Sequence, residues 1–532
     1  MSPREESPLE EIELVEDVLE AHDQSAHEEG VRQAVKSAGA DALRYAPVRF
    51  IPALIALVSI PIFTGAIPPA EYGAYFLVTS AATLVSSIAI GWLASAAVRH
   101  YVSARNEERL DGYMATVVWT ALASLVAAAL LSGAFVWLVR GSVSAQVLRL
   151  VPAALVFLVF NFITDVLSQV MRASRQASAF AFVQLLGSVS ATAISIGLVL
   201  ATPLGANGIL LGGSAGWAIA LVFILRNLAS QASISPAHFS VPFARELLAY
   251  GLPLVPMSVA SWALVFIDRY AVEFFRGSFE VGMYSVSYSL GERFMLLVTS
   301  PLLLTMAPSL IETYETVGEK VASGLQKQFV RYFALVTFPV LAGIASAAPA
   351  IMIVLTAPAY RQAWPVLPIV AAGSLLAGFS QVATSGLTLH KKTGVIMQNI
   401  LVATAFNIAA NILFIPVFGY IAAAWATLGA WLIMMVLSWW RSRSYMPLRV
   451  PWLDLTRVGG AALVMAAAVW GVLALFGTLP NRPVALIALV AAAVIGLAAY
   501  VGTAVALRAV SGAELSAVRR RITGMLQGRD AA

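Results

Sequence analysis

ELLAYGLPLVPMSVASWALVFIDRYAVEFFRGSFEVGMYSVSYSLGERFMLLVTSPLLLTMAPSLIE, residues 246–312, holds two apolar spans joined by a short polar turn. Each span carries adjacent opposite charges where hydrocarbon should be: Asp268-Arg269 in the first, Glu292-Arg293 in the second. An uncompensated charge near the bilayer centre costs roughly 2.5–3.5 kcal/mol on the insertion scale, so such residues face a bundle interior or a water-filled path. Four of them predict a polar interior.

The rest of the chain sets the class. Its 532 residues are 60% hydrophobic and only 11% charged, with a mean hydropathy of +0.83, whereas soluble domains carry about 25% charged residues. Apolar runs long enough to cross ~30 Å of hydrocarbon recur from Val48 almost to the C-terminus. Fourteen are counted, the first near 48–67, the fourth near 150–171, the seventh near 248–274, the eighth near 281–309 and the last near 484–507. An all-α integral membrane protein follows, because the runs are too long and apolar on too many faces for barrel strands. No interval between spans is long enough for a soluble domain, which argues against an enzyme with an extramembrane catalytic site.

Basic residues set the orientation. With a cytoplasmic N-terminus, 26 of the 33 Lys and Arg fall on the cytoplasmic side, five (Arg140, Arg149, Arg276, Arg361, Arg482) fall outside and two (Arg269, Arg293) are intramembrane. Miscounting one central helix would destroy that positive-inside bias, so both termini are expected in the cytoplasm. Residues 1–30 hold eleven Asp or Glu against Arg4 alone. A run of like charge cannot bury enough to order itself, so a solvated tail is expected, although Ser7-Pro8-Leu9-Glu10 has the pattern of a helix cap. A positive n-region and cleavage site are missing, so the start does not read as a signal peptide. Arg32, Lys36, Arg44 and Arg49 would anchor the first span. The tail beyond Ala513 sets Leu515, Val518, Ile522 and Leu526 beside Arg519, Arg520 and Arg521, as in an in-plane helix on anionic lipid.

The chain repeats. Glu71-Tyr72-Gly73-Ala74-Tyr75 before the second span matches Glu280-Val281-Gly282-Met283-Tyr284 before the eighth, an E-x-G-x-Y pattern at an offset of 209. Further on the offset is 214, and Gln184, Gly205 and Trp217 fall on Gln398, Gly419 and Trp431. Six spans separate the partners, an even number, so both halves insert alike and the pseudo-twofold axis runs along the membrane normal. Pro52 and Pro61 in the first span, and Pro253 and Pro256 in the seventh, predict kinks at corresponding places. The expected plan is an acidic tail and anchor over 1–45, six-helix bundles over 46–230 and 246–442, two further helices over 456–509 and a basic tail over 510–532.

Several stretches resemble the polysaccharide-export, Wzx-type flippases of lipid-linked oligosaccharides. They are Ile60-Pro61 through Tyr75, Tyr250-Gly251-Leu252-Pro253 through Asp268-Arg269-Tyr270, Asn407-Ile408-Ala409-Ala410-Asn411, Ile415-Pro416-Val417-Phe418-Gly419, and Ala422-Ala423-Ala424-Trp425-Ala426-Thr427. The resemblance covers roughly residues 45–510. It implies the fold shared with the multidrug (MATE) exporters and lipid II flippases, members of the MOP superfamily: two bundles around a cavity open alternately to either side. It also implies transport of undecaprenyl-pyrophosphate-linked sugars across a bacterial inner membrane for O-antigen, capsule or exopolysaccharide. Partners would be the lipid-linked glycan, membrane lipids, and the polymerase and glycosyltransferases of the pathway, with no nucleic acid.

Chemistry narrows the site. A lipid-linked glycan needs cations for its pyrophosphate and hydroxyl and aromatic groups for its sugars. Tyr284, Tyr288 and Glu292 repeat at i, i+4, i+8, beside Ser285, Ser289 and Arg293, so one face of the eighth span is polar over two turns. At ~1.5 Å per residue Arg293 lies about 18 Å inside its span, near the midplane. Arg269 lies nearer the outer mouth. The candidate substrate-binding residues are Arg293, Arg269, Tyr284 and Tyr288, with Asp268, Glu292 and Asp165 as ion-pairing or ion-coupling groups. Asp165 shares a helical face with Asn161, Gln169 and Arg172; it would pair with an Arg of the other half or carry a coupling proton, with Arg172 as an intrahelical alternative. There is no Cys, none of the five His falls inside a predicted span, and no P-loop occurs, so metal ligation and direct ATP use are not expected, nor is any cofactor. A MATE-like ion-coupled multidrug antiporter is the alternative, disfavoured because the first span lacks an acidic residue and an Arg suits anions.

Overall fold

The computed structural model describes residues 50–141, 144–174, 176–231 and 233–510. The acidic arm, its cap at Ser7, the anchor over 32–49 and the in-plane helix beyond 513 lie outside the described residues. Within them the chain is helical, without a strand. In chain order the helices are α1 (Phe50–Ala66), α2 (Pro69–Asn106), α3 (Leu110–Val139), α4 (Ala145–Ala173), α5 (Ala177–Ala201), α6 (Ala206–Ala229) and α7 (Val241–Arg276). They continue as α8 (Ser278–Thr316), α9 (Glu319–Leu355), α10 (Val366–Leu389), α11 (Thr393–Phe418), α12 (Tyr420–Ser442), α13 (Trp452–Phe476) and α14 (Arg482–Ala506). Thirteen of them, α2 to α14, are long and apolar enough to cross a membrane; α1, counted from the first described residue, is shorter.

Several helices overrun the predicted spans. α8 has 39 residues and α9 has 37, well beyond the ~20 that hydrocarbon requires, because a helix keeps its backbone hydrogen bonds after its side chains become polar. His100, placed outside the spans by hydropathy, lies for the same reason in α2, between the rings of Phe243 and Tyr250. The prolines of α7 do break it: Leu252–Leu254 is a 3-10 turn between helical segments Val241–Gly251 and Val255–Arg276.

α2 to α6 pack on one another, and α8 and α10 to α12 do likewise, while α13 and α14 lie against α9. α7 belongs to both sides. Its first segment packs on α2 and α3, where a Cβ at Gly251 would stand 2.6 Å from Trp92 O. Its second segment packs chiefly on α11.

The repeated E-x-G-x-Y pattern has a structural cause. Gly73 of α2 and Gly282 of α8 are the crossing point of the two helices: a Cβ at Gly73 would stand 2.0 Å from Ser278 O, and one at Gly282 would stand 1.9 Å from Pro69 O. Glu71 accepts the backbone N–H of Ala206 at 2.7 Å, and Glu280 accepts that of Tyr420 at 3.1 Å. Each carboxylate thus caps the N-terminus of a helix, α6 or α12, whose orphan N–H groups need an acceptor. Gly205 and Gly419 precede those helices at φ +52° and +65°, a region that glycine alone enters without strain. This end of the molecule is closed further by Tyr360 Oη donating to Ile67 O at 2.7 Å.

Candidate substrate site

The two adjacent charge pairs differ in their surroundings. Asp268 and Arg269 are buried, at 0% and 3% exposure. Asp268 Oδ1 accepts from Arg269 Nη1 at 3.1 Å and from the Arg269 backbone N–H at 2.8 Å. Its Oδ2 accepts from the Tyr284 hydroxyl and from Thr427 Oγ1 at 3.3 Å. Arg269 Nη1 also donates to Val265 O at 2.8 Å, and its guanidinium carbon lies 4.5 Å from the centre of the Tyr288 ring and 5.0 Å from that of Phe266. Asn407 Nδ2 donates to Thr427 Oγ1 at 3.4 Å and Asn411 Nδ2 to Asn407 Oδ1 at 3.0 Å. The pair therefore sits inside a polar network drawn from α7, α8, α11 and α12. A buried charge at hydrocarbon depth is tolerated when it is paired in this way.

Glu292 and Arg293 have no such partners. α8 is buried at every residue from 281 to 291 and becomes exposed at Glu292. Neither side chain makes an ion pair or a hydrogen bond among the described residues. On a helix adjacent residues point about 100° apart, so the two do not neutralise each other in a bidentate pair. Arg293 is within electrostatic reach of Tyr72 and Tyr75 on α2, and Glu292 of Arg269 and Arg293. Arg293 therefore lies in the seam between α2 and α8, beyond the glycine crossing, and Glu292 on the side of α8 within reach of Arg269 of α7.

The seam presents aromatic hydroxyls. Tyr72 and Tyr75 stack at 5.5 Å between centroids, and Tyr288 lies 5.6 Å from Tyr284. The hydroxyls of Tyr72, Tyr75 and Tyr288 make no hydrogen bond among the described residues, and none of the three is sealed from open space. Sequence reasoning did not select Tyr72 or Tyr75. The signal was present, since Tyr75 is the repeat mate of Tyr284. Asp165 on α4 is exposed and accepts from Gln169 Nε2 at 3.4 Å; its charged neighbour is Arg172 of its own helix, the intrahelical alternative, and neither Arg269 nor Arg293 reaches it. The structure thus brings Arg293 to Tyr72 and Tyr75 of α2, sets Tyr288 and Glu292 toward Arg269 and its enclosed network with Asp268 and Tyr284, and leaves Asp165 apart.

Known proteins resemble this chain in sequence and in fold. An uncharacterized membrane protein of Methanocaldococcus jannaschii is 25% identical over 204 residues, covering 38% of this chain and 40% of that protein, so the match spans about two fifths of that relative's length. Among solved structures, the lipid II flippase MurJ in an inward closed conformation superposes with a TM-score of 0.70 at 18% identity, over 88% of this chain and 99% of that one. An inward-facing multidrug resistance MATE transporter of the MOP superfamily superposes with a TM-score of 0.63 at 15% identity, over 75% and 98%. At these identities the likeness is one of fold, and the fold is that shared by MurJ-type and MATE-type proteins. The family described as polysaccharide biosynthesis protein matches residues 39–313, just over half of the chain. The chain belongs to this polysaccharide biosynthesis protein family.

Proposed function

We propose that the chain is a flippase, not an enzyme, that moves an undecaprenyl-pyrophosphate-linked oligosaccharide from the cytoplasmic to the periplasmic leaflet of a bacterial inner membrane during polysaccharide assembly. The observation that carries this reading is Arg293: a cation with no hydrogen-bond or ion-pair partner among the described residues, in the seam where α8 leaves its enclosed stretch, in a chain of the polysaccharide biosynthesis protein family. An unpaired guanidinium at this depth calls for an anion, and its planar fork suits a phosphate. The hydroxyls of Tyr72 and Tyr75, within electrostatic reach of Arg293, would bind the sugar next to that phosphate, and that of Tyr288, on the Arg269 side of α8, a sugar further along. Glu292, beside Arg293, is the group that would take up a coupling cation or proton. In this reading the closed end is periplasmic, both termini are cytoplasmic, and the units over 46–230 and 246–442 rock about the α2–α8 crossing to expose the seam to each side in turn. The polymerase and glycosyltransferases of the same pathway would supply and consume the substrate.

A second reading, a MATE-like ion-coupled antiporter, has the carboxylates Glu292 and Asp165, neither in an ion pair among the described residues, in its favour. A cation in the same seam works against a cationic drug.

The test is surface glycan per folded transporter in a strain lacking the native gene. Arg293→Ala should reach the membrane in normal amount and lower glycan by about tenfold or more, the worth of a charge-assisted contact. Arg293→Lys should keep part of the activity, since charge survives the loss of the fork. Normal glycan from Arg293→Ala at normal abundance would remove Arg293 from the site.

A further inference from the structure

Where α11 begins and α12 ends, the two helices enclose an open pocket of about 300 Å³ lined by Val395, Gln398, Trp440, Arg441, Ser444 and Tyr445. Its chemistry is one-sided. Arg441 Nη1 donates to Gln398 Oε1 at 3.0 Å, which holds the guanidinium in place and occupies the carboxamide oxygen. The other Arg441 N–H groups, the Trp440 indole and the Ser444 and Tyr445 hydroxyls have no partner among the described residues. No carboxylate of the described residues lines the pocket, and Lys392 Nζ stands 5.2 Å from the Tyr445 ring. A pocket of donors with a net positive charge takes an oxyanion.

The surface beyond the pocket identifies what carries that oxyanion. At helical spacing from Gln398, α11 exposes Val402 and Phe406; at the same spacing back from Trp440, α12 exposes Val436 and Leu432. These rows form an apolar track that starts at the pocket and runs along two membrane-spanning helices. A free phosphate has no use for the track, whereas acyl chains do, and Trp440, 61% exposed, is a residue type that marks the level of lipid headgroups. We propose that the pocket binds the phosphate of an anionic phospholipid, with the acyl chains lying along the α11–α12 track. The site is separate from the α2–α8 seam and does not depend on the transport reading.

Native mass spectrometry of the delipidated full chain, titrated with phosphatidylglycerol or phosphatidylcholine, tests it. Phosphatidylglycerol should bind more tightly, and Arg441→Ala should weaken it by about tenfold. Ser444→Glu, a change at an exposed position with little consequence for folding, should do the same by placing a carboxylate in the pocket. Arg443→Ala should not, because that guanidinium lies over the Trp439 ring at 3.9 Å and outside the lining. Inorganic phosphate should fail to displace the lipid. Equal binding of the two lipids, unchanged phosphatidylglycerol binding in Ser444→Glu and Arg441→Ala, or displacement by inorganic phosphate at comparable concentration would each overturn the proposal, the last by making this a free-anion site.

Discussion

Removing the Asp268 carboxylate would leave the Arg269 guanidinium enclosed, with Val265 O as its remaining acceptor. Breaking one partner of a buried pair costs about 3–5 kcal/mol, so Asp268→Ala should sharply lower the amount of folded protein, and replacing Arg269 by Leu in the same chain should recover much of it. Arg293→Ala should show no such loss, since Arg293 has no partner to strand among the described residues. Thermal melting of the purified variants checks both; equal melting of Asp268→Ala and wild type would show that the pair contributes nothing to the fold. In the sequence the two pairs look alike, each an acid followed by an arginine in an apolar span. What separates them is tertiary: Tyr284 and Thr427 arrive from other helices to hold Asp268, and no hydrogen-bond donor among the described residues does so for Glu292. Sequence marks where charge enters the membrane. It does not tell which charge is already satisfied, because that depends on groups 16 and 159 positions away.

The helices were largely legible as apolar runs, and the break in α7 as a Pro253 and Pro256 signal. Their ends were not, because α8 and α9 stay helical past the hydrocarbon, where hydropathy has nothing to report. The E-x-G-x-Y repeat was visible as a repeat, but its role required the crossing of α2 and α8. The second repeat block shows how differently two halves can solve one packing problem. α6 brings Gly212 and Gly216 so close to α5 that a Cβ would stand 2.4 and 2.1 Å from its backbone; α12 uses buried Ala426 and Ala430 at the matching positions. Small residues let membrane helices approach closely. The crossing makes a prediction at this scale. Gly282→Ala must push Pro69 O away, and overpacking of this kind costs about 1–3 kcal/mol. Gly197→Ala, in α5 with nothing within 4 Å of the added carbon, should be neutral or stabilising, as alanine favours a helix. A melting temperature lowered by Gly282→Ala and unchanged or raised by Gly197→Ala is expected; equal losses would show that the crossing is not tightly packed.

At the scale of the whole molecule, α2 and α8 are the shared axis: they cross at paired glycines at the closed end, and α8 opens at Glu292 some ten residues further on. α7 ties the halves together at the other end through Phe243, Tyr250 and the contact of Gly251 with Trp92. The added pair α13 and α14 is fastened to α9 by Tyr500 Oη donating to Leu335 O at 2.7 Å and by Arg482 Nη2 donating to Thr356 O at 3.1 Å. The count of helices, the repeat and the presence of charge in the interior came from the sequence; the seam that sets Arg293 by Tyr72 and Tyr75 came from the packing of α2 on α8. The most direct test of the proposed transport uses purified full-length chain in liposomes of defined composition, with undecaprenyl-pyrophosphate-linked glycan loaded in one leaflet and its arrival in the other read by a membrane-impermeant glycosidase. Wild-type protein should make the glycan accessible well above protein-free vesicles, and Arg293→Ala should reduce that rate to near the protein-free level. Accessibility no greater than in protein-free vesicles, from folded wild-type protein supplied with an ion gradient of either sign, would contradict the account.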